Sequence, residues 1–260
     1  MNQKEIDKEI ARLNQKLDGV TNKLVATLQR YQTEYERELL KTNFDLDGNN
    51  LKATQGNYNK AQSLNIMKKL GFNSLAVSYI NQYPNIAKLS IAFNNRIGIS
   101  TDMKFRDITV LKQLQDIDFS VFQAEAQLLD ERIKKELVNA IALRMPYEQT
   151  VENLSTSLLG AGDKAGTLAG YANTYMRSAL FSLSKAIDQE IYDRLGVDEY
   201  YYLGPVDAKT RPFCLPRIGE KFTTKQIENF GDANGSGLNG FLLPGGFNCR
   251  HRMVPVNEVK

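Results

Sequence analysis

The chain has 260 residues, 42% hydrophobic and 24% charged, enough apolar material to bury a core and too much for a disordered polar tail. Its 33 basic and 30 acidic side chains leave a formal net charge of +3, so no global basic field marks a nucleic-acid binder. Two cysteines are too few for a disulfide framework, and no segment approaches the roughly 18 uninterrupted apolar residues of a membrane helix. The N-terminus lacks the apolar run of a secretory signal, so a soluble cytoplasmic product is expected.

From residue 6 the aliphatics Ile6, Ile10, Leu13, Leu17, Val20 and Leu24 recur at a strict 4-3-4-3-4 spacing, and Leu28, Tyr31, Tyr35 and Leu39 carry it on. The spacing predicts one long amphipathic helix in an arm of residues 1–42. Its seam is narrow and flanked by charge, which suits either a partner helix, a second copy of the chain included, or ordinary packing on the protein's own body. Residues 43–60 break the pattern with Asn, Asp and Gly and read as a loop. Asp45, Asp47 and Asn49 alternate around Gly48 as in a calcium loop, but Thr54 stands where the ligating Glu belongs, which leaves a solvated turn.

Two short helices are expected over 60–95, around Tyr83-Pro84, with Leu64, Met67, Leu70, Leu75 and Ile80 as apolar positions. The segment 96–108 reads as a brief strand or a loop. Helical spacing returns at Leu114, Ile117, Val121, Leu128, Leu129, Ile133, Leu137 and Ile141, and Met145-Pro146 closes it. A further helix crosses "YEQTVENLSTSLLG", the Gly-rich stretch 160–166 interrupts, and another runs from Leu168 to Leu195 before Gly196.

After Gly196 the texture changes to the aromatic, β-branched "VDEYYYLGPVDA", and Pro, Gly and Asn become frequent. The expectation is a mainly α protein with a small C-terminal α+β domain: an arm (1–42), a helical body (43–196) and a compact module (197–260). In that module a short helix at "TTKQIENFG" is capped by Thr223 or Thr224, residues 231–240 form a flexible excursion, and "NCRHRMVPV" is the last strand. Tyr200, Tyr201 and Tyr202 cannot all face inward, and Gly245-Gly246 is expected to make a positive-φ corner.

Strand alternation places Cys249 and His251 on one face and Arg250 and Arg252 on the other. If the strand at 200–206 pairs with the last one, the turn "DAKTRPFC" brings Cys214 and Asp207 to the same place. Three chemistries use that set. Two thiolates, one imidazole and Asp207 can complete a zinc tetrahedron, although neither cysteine sits in a C-x-x-C pair. Cys214 and Cys249 can form a disulfide, with cytoplasmic synthesis against it. Cys and His can form a catalytic dyad oriented by Asp207, although no oxyanion-hole motif accompanies them. The plain alternative is two buried thiols acting as small hydrophobes beside a hydrogen-bonded histidine. Asp207 and Thr210 can equally close an Asx or ST turn, and Arg211, Arg250 and Arg252 can contact DNA phosphates or form salt bridges. No GxxxxGK[ST], HExxH or GxSxG is present, so nucleotide hydrolysis and the common hydrolase mechanisms have no support.

The order of a helical stretch, an aromatic strand, "VDAKTRPFC", "IGEKFT" and "GGFNCRH" resembles the head morphogenesis family of tailed phages, minor head proteins like protein F of phage Mu. The likeness covers roughly residues 145–256 and falls on Asp207, Thr210, Arg211, Cys214, Gly219, Phe222, Asn248, Cys249, Arg250 and His251. It implies a structural virion component without enzymatic activity, made in the host cytoplasm and placed at the portal vertex or in the capsid. Portal or capsid proteins and packaged DNA are the partners it implies. The chain closes Cys-Arg-His where the commoner pattern is Cys-Arg-Cys, which keeps a metal ligand while removing a disulfide partner and so favours zinc.

Overall fold

The computed structural model describes residues 2–69, 71–100, 102, 110–161, 164–235, 237 and 239–256. Leu70, nearly all of 101–109 and parts of the Gly-rich stretches 160–166 and 231–240 lie outside the described residues, as do the side chains of Leu28, Tyr31 and Met67.

The chain is mainly α-helical, with a small sheet in its C-terminal part. Helix α1 (Gln3–Leu40) is the long N-terminal element. Ile6, Ile10, Leu13, Leu17 and Leu39 of its seam are wholly inaccessible, and Leu24 and Tyr35 nearly so. Burying such a side chain contributes about 1.5–3 kcal/mol. Among the described side chains most of the seam is thus covered within the folded chain, with Val20 half-buried, and self-association through this helix loses most of the stripe it was expected to use.

Residues 43–60 are not all loop. A two-residue hairpin, β1 (Leu46–Asp47) with β2 (Asn50–Leu51), is followed by α2 (Gln55–Ser63). Thr54 starts that helix by accepting the Asn57 N–H, and Asn57 turns back to donate to the carbonyls of Asp45 and Lys52, both at 2.8 Å. Next come α3 (Ile66–Lys69), α4 (Phe72–Ile80) and α5 (Tyr83–Arg96), with Pro84 in the first turn of α5 where its missing N–H costs nothing. Then follow α6 (Val110–Ala142), α7 (Tyr147–Leu159), the hairpin β3 (Gly160–Ala161) with β4 (Lys164–Ala165), and α8 (Thr167–Tyr171). A π-helical turn, Ala172–Met176, leads into α9 (Arg177–Arg194).

Strand β5 (Glu199–Leu203) is central in a three-stranded antiparallel sheet, between β6 (Lys221–Thr223) and β7 (Arg252–Pro255). Its register sets Tyr200 opposite Phe222 and Pro255, and Tyr202 opposite Met253. Tyr200 and Tyr202 are buried, while Tyr201 lies partly exposed with the Lys221 ammonium over its ring at 5.1 Å. Alternation allows only two of three consecutive tyrosines on the inner face. Thr223 caps α10 (Thr224–Glu228) in a capping box with Gln226, and α11 (Phe230–Ala233) follows.

Two compact units result. One gathers Met1–Asn22, Asn81–Asp116 and Thr174–Lys260, the other Lys23–Ile80 and Ile117–Asn173. The change of texture near 197 is therefore a change of secondary structure inside one unit, and the spans 1–42, 43–196 and 197–260 do not coincide with compact bodies. In the second unit, Phe122 meets Phe72, Tyr79 and Tyr171 at ring-centroid distances of 5.9, 4.9 and 5.7 Å. In the first, α5 packs along α9, and the contact holds a buried polar network. Asn94 donates to Asp188 at 2.7 Å, the Ser90 and Ser184 hydroxyls are 2.5 Å apart, and Arg252 pairs with Asp188 and donates to Ser184 at 2.7 Å. Arg252 is only 1% exposed. Of the roles open to it, a phosphate contact or a salt bridge, the structure shows the salt bridge: the guanidinium is enclosed with its carboxylate.

Candidate metal centre

β5 carries Tyr202 into the core, and after Leu203 the chain turns at Gly204 and Pro205 toward the 207–214 loop. Gly204 has φ +153, and a Cβ there would lie 2.8 Å from His251 Cδ2. Only glycine allows that approach. The turn itself is self-contained: the Asp207 N–H donates to Thr210 Oγ1 at 2.9 Å, Thr210 Oγ1 donates to the Pro205 carbonyl at 3.1 Å, and the Lys209 N–H donates to Asp207 Oδ1 at 2.9 Å. Arg211 then reaches across to donate to the carbonyls of Gly245 and Phe247, tying this loop to the one before Cys249. Gly246 supplies the expected positive-φ corner with φ 83, Asn248 adds another with φ 59, and the Asn248 N–H donates to Ser178 of α9 at 3.0 Å.

Two loops so fixed bring Cys214, Cys249 and His251 together. Their ligand atoms all lie within 4.8 Å of one another, and all three residues are buried. Cys249 Sγ is 3.6 Å from His251 Nδ1. With Zn–S near 2.3 Å and Zn–N near 2.0–2.1 Å, the sulfur–nitrogen edge of a zinc tetrahedron is about 3.6 Å. The other imidazole nitrogen, Nε2, is 3.1 Å from the Pro205 carbonyl. A carbonyl can only accept, so Nε2 carries a proton, and the neutral ring then turns its Nδ1 lone pair toward the sulfurs, the arrangement a metal-binding imidazole needs.

Tyr202 closes one side. Its hydroxyl donates to Cys214 Sγ at 3.1 Å, lies 3.7 Å from Cys249 Sγ, and its ring stacks on His251 at 5.1 Å between centroids. Burial and the neighbouring thiols push its phenol far up, so it stays a donor. The Cys214 hydrogen bond, with His251 and Lys185 adding to it, holds the Cys249 thiol well below its ordinary value, and the same pairing with burial pushes Cys214 up. Lys185 of α9, pulled down to about 8 by burial, donates to the Cys249 carbonyl at 2.7 Å.

Asp207 is the expected ligand that does not join. Both its oxygens take the Arg250 guanidinium, at 2.7 and 2.5 Å, and this pair with the Lys209 N–H holds the carboxyl well below the usual range. The same geometry separates it from His251, whose outer nitrogen faces a backbone carbonyl, so no Cys-His-Asp relay forms. The bidentate guanidinium of Arg250, next in sequence to the histidine, holds this carboxylate in its own turn and away from the metal donors.

No protein-family model, curated protein or solved structure matches the chain. Among the described residues no helix is long and apolar enough to cross a membrane.

Sequence reasoning missed Tyr202 as a partner of the sulfurs, and it missed Lys185, Ser178 and Asp188 of α9 altogether. One signal was present: Ser184 and Asp188 fall on the same helical stripe as Phe181 and Ile191, so the buried face of α9 carries polar groups that need partners inside. Gly245 is a further contact. A Cβ there would lie 2.5 Å from Cys214 Sγ, 2.8 Å from Cys249 Sγ and 3.1 Å from the Tyr202 hydroxyl. Gly245→Ala is expected to cost about 1–3 kcal/mol by overpacking the sulfurs; a thermal unfolding midpoint equal to that of the parent chain would refute this packing.

Proposed function

We propose that this chain is a structural minor head protein of a tailed phage, placed at the portal vertex or in the capsid during assembly in the host cytoplasm and retained in the virion. Its C-terminal module is pinned by one zinc ion on Cys214, Cys249 and His251, and its partners are portal or capsid proteins. One observation carries the reading: the ten motif residues gather in one module, and the contacts they make hold it together. Asp207 pairs with Arg250, Thr210 closes the turn and Arg211 clamps the opposing loop. Gly219 turns at φ +85 and donates to the Tyr202 carbonyl, and Phe222 packs edge-on against Phe230 at 5.0 Å. Asn248 anchors to Ser178, and the remaining three are the metal donors.

A Cys-His-Asp hydrolase orients its imidazole with a carboxylate, and here that carboxylate is taken up by an arginine while a backbone carbonyl holds the outer ring nitrogen. That division of contacts supports a module built to be held in shape. Zinc fits the donors because two soft thiolates and one imidazole are its preferred set. Peptide mapping of purified particles encoded by the same genome is expected to find this chain in few copies beside the portal protein. Particles that contain the portal and lack this chain would overturn the assignment.

A further inference from the structure

A structural zinc site is closed by four protein donors, whereas a site with three leaves one position for an outside ligand. Among the described residues the group here has three. Three acidic residues near the group have partners of their own: Asp207 with Arg250, Asp18 of α1 with Arg177 at 2.6 Å, and Asp7 of α1 with the Gly204 backbone N–H. On one side the group is roofed by Tyr202 and Gly245. On the other, Cys214, Cys249 and His251 all line a cleft of about 250 Å³.

The rest of that cleft is cationic. Arg177, Lys209, Arg211 and Arg250 line it, against the single carboxylate of Asp18. A zinc ion on two thiolates is electrically neutral, so the metal does not cancel that excess. Arg177 also has a buried Nε–H without a hydrogen-bond partner among the described residues, and Lys209 makes no ion pair among them. Arg211 and Arg250 spend two N–H groups each on the contacts already named, and a guanidinium has five.

We propose that the metal centre is open, its fourth position facing this cleft and taking a small oxyanion of the phosphate class, held by Lys209 and the surrounding guanidinium groups. The proposal rests on the zinc reading above. The oxyanion coordinates the metal through one oxygen while the remaining oxygens accept from the cations, the geometry for which arginine forks are suited. Free phosphate and the phosphodiesters of a nucleic-acid strand share that chemistry.

Loading the full chain with cobalt(II) tests both steps separately. Thiolate-to-cobalt charge-transfer absorption reports the two sulfurs, and the visible ligand-field bands report the fourth position. Inorganic phosphate is expected to shift the ligand-field bands saturably while the charge-transfer band persists. Lys209→Ala should weaken that titration by up to about five-fold, as for one exposed charge, and Asp18→Asn should tighten it. A short single-stranded oligonucleotide that saturates the shift where inorganic phosphate does not would assign the ligand to a nucleic-acid backbone. Charge-transfer absorption with ligand-field bands indifferent to both anions would overturn the open position and leave the metal site standing. So would an Asp18→Asn spectrum altered before any anion is added, since Asp18 would then be the fourth ligand. Absence of the charge-transfer band would remove the metal site and this proposal with it.

Discussion

Asp188→Ala is expected to destabilise the chain by about 3–5 kcal/mol, because it leaves the Arg252 guanidinium enclosed without its counter-charge. Asp188 accepts from both Arg252 and Asn94, so the substitution also strips a partner from the Asn94 amide. Against a typical total of about 5–15 kcal/mol this is a large fraction. The double variant Asp188→Leu with Arg252→Met should recover most of the loss, since filling the volume with apolar atoms removes the unpaired charge itself. Denaturant titration of the three proteins decides the matter. A single-variant loss below about 1 kcal/mol would mean that water reaches the pair.

The second large effect concerns the ion. Zinc bound to the folded chain alone, at a free concentration about 1,000 times its Kd, should stabilise it by about 4 kcal/mol. For a chain of this size each kcal/mol moves the midpoint by roughly 2–4 °C, so a strong chelator is expected to lower Tm by about 8–16 °C. Cys249→Ser and His251→Ala should abolish that difference, with Tm close to the chelated value in both conditions. A chelator-insensitive parent chain containing no zinc by elemental analysis would remove the ion from the account and leave two buried thiols hydrogen-bonded to Tyr202 and His251.

Parts of this arrangement were legible in the sequence because they depend on local periodicity. The 4-3 spacing of α1 gave its buried face, the aromatic run gave β5, and the threonine pair 223–224 gave the cap of α10, which the structure assigns to Thr223. The two-residue interval between Cys249 and His251 put both side chains at one place, although that segment precedes β7 and is not itself a strand. What was not legible depends on competition between distant groups. Asp207 has the chemistry of a ligand, and only the position of Arg250 decides that it becomes a counter-ion. Alternation sets Arg252 on the face away from Cys249 and His251, and only Asp188 on α9 decides that it is buried there as half of an ion pair. The stretch 55–63 looks like a loop by composition, and Thr54 together with the three-way bonding of Asn57 makes it a helix.

Helix α9 holds the segment 248–252 at three successive points: Ser178 at Asn248, Lys185 at the Cys249 carbonyl and Asp188 at Arg252. Cys249 and His251 are thus braced by a rigid rod as well as by the loop that carries them, and their placement inherits the helix's stiffness. Damage anywhere along that rod would be felt at the sulfurs even where no ligand is touched.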